Sequence, residues 1–139
     1  MRYIITLFLT IGLALSSFSK SNEIGKDIDV NHYEIHLNEF NITEKSLDAS
    51  TTITFTALSD VDFIELELKS LNVTSVTSDD INVKDFSQND DILKINFAST
   101  LSADSKMSLT INYNGKTFNE NRGGIHWSND YVHNLGVGF

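Results

Sequence analysis

Apolar and polar residues alternate one for one along five stretches of the chain. In the first, residues 32–37, three apolar side chains alternate with two histidines and a glutamate. The same alternation recurs in residues 47–55, 64–68, 93–97 and 107–113. A period of two is that of a β-strand with one buried face, whereas a helix repeats every 3.6 residues. The sequence therefore predicts an all-β protein, a twisted antiparallel β-sandwich or saddle-like sheet domain of about seven to nine strands.

Twelve apolar members of these stretches are predicted to form the core. They are Tyr33, Ile35, Leu37, Ile53, Phe55, Leu66, Leu68, Leu93, Ile95, Phe97, Leu109 and Ile111. Polar clusters that begin near residues 59, 77, 87 and 102 indicate turns between the strands. The strongest turn signal is the pair Asn114 and Gly115, which is typical of a two-residue type I′ hairpin.

The first nineteen residues differ in kind from the rest. One basic residue, Arg2, precedes an apolar run from Tyr3 to Leu15, and small residues Ser17 and Ser19 follow it. This order is that of a secretory signal peptide cut before Lys20. A membrane-spanning helix needs roughly 20 apolar residues, and this run is shorter. We therefore expect an exported protein, periplasmic or extracellular, with no membrane span after cleavage.

Charge and cysteine content narrow the classes of partner. The chain carries 19 acidic and 10 basic residues, a net charge of −9. Binding to nucleic acid depends on clustered lysine and arginine, so a nucleic-acid partner is not expected. There is no cysteine, so an exported form would have to be stabilised by its core alone.

Two histidines and a carboxylate on one strand raise the possibility of a metal site. His32, Glu34 and His36 share one face of the first predicted strand. At about 3.3 Å per residue the two histidine Cα atoms lie roughly 13 Å apart, too far for both rings to reach one zinc ion at about 2 Å. A solvated strand face is the expected interpretation, with an adventitious metal contact as the alternative.

The last segment mixes histidines with aromatic residues. His126 and His133 flank the stretch that contains Trp127 and Tyr131. Such residues on exposed loops can bind sugars or peptides, although Trp and Tyr are more typical of the packed ends of a sandwich. Serine-nucleophile and phosphate-loop motifs are absent from the sequence. No catalytic, cofactor-binding or metal-binding residue is therefore assigned to these 139 residues.

The order of the strands resembles a known family. The segments IELELKSLNVTSV, DILKINF, MSLTINYNGKTF, GGIHW and NLGVGF follow one another as in the N-terminal β domain of M1-family zinc metallopeptidases, the aminopeptidase N relatives, particularly their secreted bacterial branch. The resemblance is carried by Leu66, Leu68, Val73, Val76, Tyr113, Gly115, Gly123, Gly124, Ile125 and Trp127. Together with the signal peptide at 1–19, it divides the rest of the chain into a linker at 20–27 and a C-terminally truncated family domain at 28–139.

The resemblance also implies what these residues would do. Family members continue into a catalytic domain whose G-x-M-E-N and H-E-x-x-H motifs bind the substrate amine and zinc, and neither motif occurs here. We therefore expect a noncatalytic domain fragment that shapes the substrate cleft of an exported zinc aminopeptidase. Its partners would be the catalytic domain of the same polypeptide, which would hold the zinc, and the peptide substrate of the parent enzyme.

A second hypothesis is a standalone secreted β-sandwich. It would bind a sugar or a protein through Trp127, Tyr131 and His133. The end of the sequence favours the first hypothesis, because Leu135, Val137 and Phe139 alternate as in a strand that still needs a neighbour. We expect this last strand to be an interface for further chain.

Overall fold

A computed structural model describes residues 24–117, 119–120, 123–129 and 131–134. Within these ranges the chain forms ten β-strands and no helix, and every strand pairing is antiparallel. The all-β prediction is thus confirmed. The expected signal peptide, residues 20–23 of the expected linker and residues 135–139 lie outside the described residues.

The ten strands divide into two larger sheets and one small one. They are β1 (Ile28–Asn41), β2 (Ser46–Ala57), β3 (Val61–Glu67), β4 (Asn72–Thr77), β5 (Val83–Asn89), β6 (Ile92–Leu101), β7 (Lys106–Lys116), β8 (Asn119–Glu120), β9 (Gly123–Trp127) and β10 (Val132–Asn134). The first sheet has the order β1-β2-β7-β4, the second β3-β6-β5 and the small one β10-β9-β8. Two sheets of unequal width, four strands against three, therefore make up most of the described fold.

One hydrophobic core joins the two larger sheets. The first sheet contributes Ile53, Phe55, Leu109 and Ile111, and the second contributes Ile64, Leu93, Ile95 and Phe97. All of these side chains are buried, and Leu66 packs against them partly buried. Seven of the residues that alternation placed in the core are thus confirmed there, because β-branched and large apolar side chains fill the space between two pleated faces.

One edge of this core is closed by a side chain. β4 and β5 meet where the two larger sheets adjoin, and Gln88 on β5 bridges them. Its Oε1 accepts a hydrogen bond from the backbone N–H of Val73 at 3.0 Å, and its Nε2 donates one to the backbone oxygen of Leu71 at 2.6 Å. A single glutamine amide thus satisfies two backbone groups of the neighbouring strand region, as only a donor-and-acceptor side chain can.

The opposite edge is open, and here the predicted core is wrong. Tyr33, Ile35 and Leu37 are exposed by 57%, 59% and 53% of their surface. Tyr33 pairs with Ile53 of β2, so these side chains point to the same side of the sheet as the buried Ile53. Their direction is the one that the alternation predicts. They are exposed because β1 is the outermost strand of the wider sheet, and the three-stranded sheet does not extend over it.

The predicted hairpin at Asn114 and Gly115 is also wrong. Both residues lie within β7 and pair with Asp48 and Leu47 of β2. Gly115 has a φ of 138°, and a Cβ atom there would lie 3.3 Å from Nδ2 of Asn72. The glycine thus serves a close approach of strands inside the sheet, not a turn.

The true connections use other residues. Four non-glycine residues at loops have positive φ angles, namely Lys45, Ser70, Asp90 and Asp104. The turn expected from residue 87 onward begins later, because β5 continues to Asn89. The strand count exceeds the predicted seven to nine, since the stretch after Lys116 forms three short strands.

The contrast between core and edge is testable with one substitution at two positions. Ile95 is fully buried, whereas Ile35 is 59% exposed. Ile95→Ala should lower the free energy of unfolding by about 2–5 kcal/mol, because it leaves a cavity. Ile35→Ala should lower it by less than about 1 kcal/mol, since little apolar surface is lost from the interior. Urea unfolding followed by circular dichroism measures both, and equal losses would contradict the open edge.

Candidate functional site

The open edge borders an apolar groove. The groove lies between β1 and β3, with β2, β6 and β7 at its floor, and has a volume of about 430 Å³. Its apolar lining includes Tyr33, Ile35, Ile53, Leu66, Leu68 and Leu93. It exists because Tyr33 and Ile35 of β1 are not covered by another described strand, whereas Ile28 at the start of β1 is buried in the core. Sequence reasoning missed it, since that reasoning assumed that every inward side chain is covered.

Two hydroxyl groups meet on the floor of this groove. Thr51 Oγ1 and the Tyr113 phenolic oxygen lie 2.8 Å apart and share a hydrogen bond, in which either oxygen can donate. Glu65 and Glu67 stand on the β3 side of the groove. An apolar channel with one hydroxyl pair and an acidic wall suits the binding of an apolar polypeptide segment more than it suits bond cleavage.

The face of β1 opposite this groove carries His32, Glu34 and His36, as the alternation predicts. All three are exposed. His36 Nε2 lies 3.1 Å from Glu34 Oε1, and both side chains are about 60% accessible to solvent. Such an exposed contact contributes little to stability, because water screens it. The solvated-face interpretation agrees with this arrangement.

The hairpin of β9 and β10 brings together two histidines that the sequence left apart. His126 and His133 are cross-strand partners, and their rings stack with centroids 5.2 Å apart. The ring of Tyr131 lies 5.7 Å from that of His133. The loop is closed by a hydrogen bond from the N–H of Ser128 to the backbone oxygen of Tyr131 at 2.8 Å. Only the loop length could have signalled this pairing beforehand.

Trp127 and Tyr131 have different roles in this hairpin. Trp127 is partly buried, packs edge-on against Phe40 at a centroid distance of 5.9 Å, and donates its indole N–H to Thr117 Oγ1 at 2.6 Å. The packing role expected for it is confirmed. Tyr131 is 60% exposed, so the same expectation is wrong for this residue. A loop-tip position explains the difference, because no other described strand lies over it.

The described side chains do not fit a zinc site. Among residues 24–117, 119–120, 123–129 and 131–134, no group of three or more His, Cys, Asp or Glu residues is placed to hold a metal ion. The stacked pair of His126 and His133 supplies at most two ligands, and zinc sites take three or four from the protein. The same ranges contain no helix long and apolar enough to cross a membrane.

Comparison with protein families gives a match over most of the chain. The model of the peptidase M1 N-terminal domain matches residues 29–137. The chain belongs to the peptidase M1 N-terminal domain family. The resemblance drawn from the strand order is thereby confirmed. Comparison with curated proteins gives no significant match.

Solved structures support the same fold. An M1 zinc metallopeptidase mutant from Deinococcus radiodurans, bound to a Tyr-Ser-Ala substrate, is similar with a TM-score of 0.61, 22% identity and 69% of this chain covered. A two-domain M1 zinc metallopeptidase mutant bound to L-arginine gives 0.64, 21% and 73%. The nonmutated Deinococcus radiodurans enzyme gives 0.59, 23% and 66%.

This M1 domain is short beside those structures. It spans 22%, 24% and 21% of their respective lengths. At these identities the likeness establishes the fold and not the activity. More than three quarters of each similar protein thus has no counterpart in the 139 residues.

The metal content of the chain can be measured directly. After dialysis the purified chain should retain far less than one zinc ion per molecule, because two histidine ligands hold zinc too weakly to survive removal of the free ion. Replacing both partners of the stack, with His126→Gln and His133→Gln, should leave this value unchanged. Inductively coupled plasma mass spectrometry provides the measurement, and one zinc per chain that vanishes in the double variant would contradict the prediction.

Proposed function

We propose that this chain is the noncatalytic N-terminal part of an exported M1-type zinc aminopeptidase, and that it shapes the substrate cleft of a catalytic domain outside these 139 residues. The proposal assigns residues 28–139 to that domain, residues 1–19 to the signal peptide and residues 20–27 to the linker. Its cleft role would be that of a rigid wall beside the peptide, and the reaction itself would occur elsewhere.

One observation carries the proposal. The family match extends over residues 29–137, yet the chain spans less than a quarter of each similar M1 structure. A region of this kind in a two-domain enzyme would work through contact with the rest of the protein. Two packed sheets with a single core are a suitable body for such a wall, because a close-packed interior resists deformation.

Zinc would belong to the partner domain. The described side chains of this chain do not converge on any metal position, so no catalytic step is assigned to them. In the parent enzyme a zinc ion would supply the Lewis acid for peptide hydrolysis. The contribution of this chain would be confined to binding and orientation of the peptide.

Export would follow from the first nineteen residues. A basic residue, an apolar run of limited length and small residues before Lys20 support cleavage there. The absence of cysteine from the sequence is compatible with export, since a large shared core can stabilise the domain without disulfides.

The proposal predicts that the chain alone does not hydrolyse peptides. Aminoacyl p-nitroanilides and short peptides, followed by absorbance and by mass spectrometry, should show no turnover above buffer, with or without added zinc. The described part of the chain offers no closed set of ligands, so added metal should not rescue activity. Zinc-dependent turnover that persists through repurification of the chain would overturn the noncatalytic assignment.

The link to a larger enzyme has its own test. The genomic DNA beyond codon 139 should contain a reading frame with H-E-x-x-H and G-x-M-E-N motifs. Expression of that frame with and without the present chain should give higher peptidase activity in its presence, because the cleft wall is then complete. A stop codon with no such frame nearby, or equal activities, would contradict the proposal.

The rings of the β9–β10 hairpin, of which Tyr131 and His133 are exposed and His126 is half-buried, support a second candidate, a standalone binding module. Stacked His126 and His133, with Tyr131 beside them, offer flat ring faces of the kind that bind sugars. Screening of the chain against a glycan array tests this function. Specific binding that is lost in Tyr131→Ala, but kept in Tyr33→Ala as the exposed-tyrosine control, would favour it over the first.

A further inference from the structure

β1 has a regular segment with an unpaired side. Among the described residues it pairs only with β2, so its other edge leaves backbone N–H and C=O groups without a strand partner. Register shifts occur between Val30 and His32 and between Leu37 and Glu39. These irregularities bracket the stretch 32–37, in which six consecutive residues keep a regular pleat. A second strand could continue the sheet at this point.

The regular segment also carries an apolar stripe. We use this term for Tyr33, Ile35 and Leu37, each more than half exposed and all pointing to the groove side of the sheet. Proteins commonly protect such edges with lysine, proline or inward-pointing charges. The stripe has none of these, and the whole sequence contains no proline.

We propose that the stripe is a self-association surface at which β1 of a second copy pairs antiparallel, centred on Ile35. Opposed residues of antiparallel strands point to the same face of the sheet. The two stripes therefore lie side by side on one face only if the two-fold axis lies midway between the two copies of one residue. Two such registers fit within residues 32–37. One is centred on Glu34 and the other on Ile35.

The charges on the other face distinguish these registers. With the axis at Ile35, Glu34 of each copy lies opposite His36 of the other, giving two complementary pairs. Tyr33 then lies opposite Leu37, and Ile35 opposite itself, so all apolar residues of the stripe are matched. With the axis at Glu34, two carboxylates oppose each other and His32 faces His36. Like charges directly opposite destabilise a sheet, so the register at Ile35 is the one expected.

The contact between Glu34 and His36 within one chain agrees with this choice. Their side chains already lie 3.1 Å apart on the solvent face. In the paired sheet each carboxylate has two imidazoles within reach, one from each copy. The mouths of the two grooves also come to lie side by side, because both open along β1. Five residues of one strand form a small interface, so the dimer should be weak.

Light scattering tests the dimer and the strand that forms it. At protein concentrations on the order of 0.1 mM and above, suited to a small interface, the average mass should rise from 15.6 kDa towards twice that value. Ile35→Lys should keep the chain monomeric, since it places a charge in the stripe. Leu58→Lys is the matched control, because Leu58 is also 59% exposed but lies outside every strand. A monomer at all concentrations, or a dimer unaffected by Ile35→Lys, would overturn the proposal.

Cross-linking tests the register. The chain has no cysteine, so a single introduced thiol can react only between copies. Ile35→Cys should cross-link efficiently with a short bismaleimide, because the two thiols meet at the axis. Tyr33→Cys should cross-link at least tenfold less, because its two copies lie four residues apart along the paired strands, about 13 Å at roughly 3.3 Å per residue, and this change keeps Glu34 and His36. Equal or reversed efficiencies would refute the register, and circular dichroism checks that both variants are folded. The pairing does not depend on the proposed function, and a dimer would leave the peptidase assignment untouched.

Discussion

The unequal width of the two larger sheets governs the other features of this domain. Four strands face three, so Tyr33, Ile35 and Leu37 of the outer strand β1 lack a cover among the described residues, although Ile28 at its start is buried. The core is dense where the sheets overlap, at Phe55, Ile95 and Leu109, and ends abruptly beside β1. The groove, the apolar stripe and the free edge are three consequences of this single mismatch, and they need no separate explanation.

The two edges of the core differ in whether the side chains at a sheet boundary satisfy and cover it. At the β4 and β5 edge, Gln88 offers both a donor and an acceptor to the backbone, and the boundary is satisfied within the chain. At the β1 edge no comparable side chain of the described residues reaches across. The polar groups on the outer face of β1 are His32, Glu34 and His36, which point away from the groove and cannot shield it.

Alternation predicted the direction of side chains correctly and their burial only in part. Ile35 and Ile53 point to the same side, as the period of two requires, yet one is exposed and the other buried. Burial depends on whether another strand lies opposite, which is a property of the whole topology and leaves no local trace. For the same reason Asn114 and Gly115 do not form the turn that this pair of residues typically makes, because β7 pairs continuously with β2 through both positions. Predicting the pairing of His126 with His133 would have required knowing where β9 ends and β10 begins, and the residue types alone do not fix those bounds.

The unpaired backbone groups at the free edge of β1 can hydrogen-bond to only one additional strand at a time. A second copy paired at Ile35 and a further segment of an M1 polypeptide laid along the same strand would compete for the same backbone groups. Because attached chain acts at a high effective concentration, it would displace a weakly bound second copy. Self-association of the short chain and packing of a longer one are therefore alternative ways of meeting the same requirement. In both, the apolar stripe and the groove beside it determine where the partner lies, whereas the Glu34 and His36 pair determines register only for a partner that repeats this sequence.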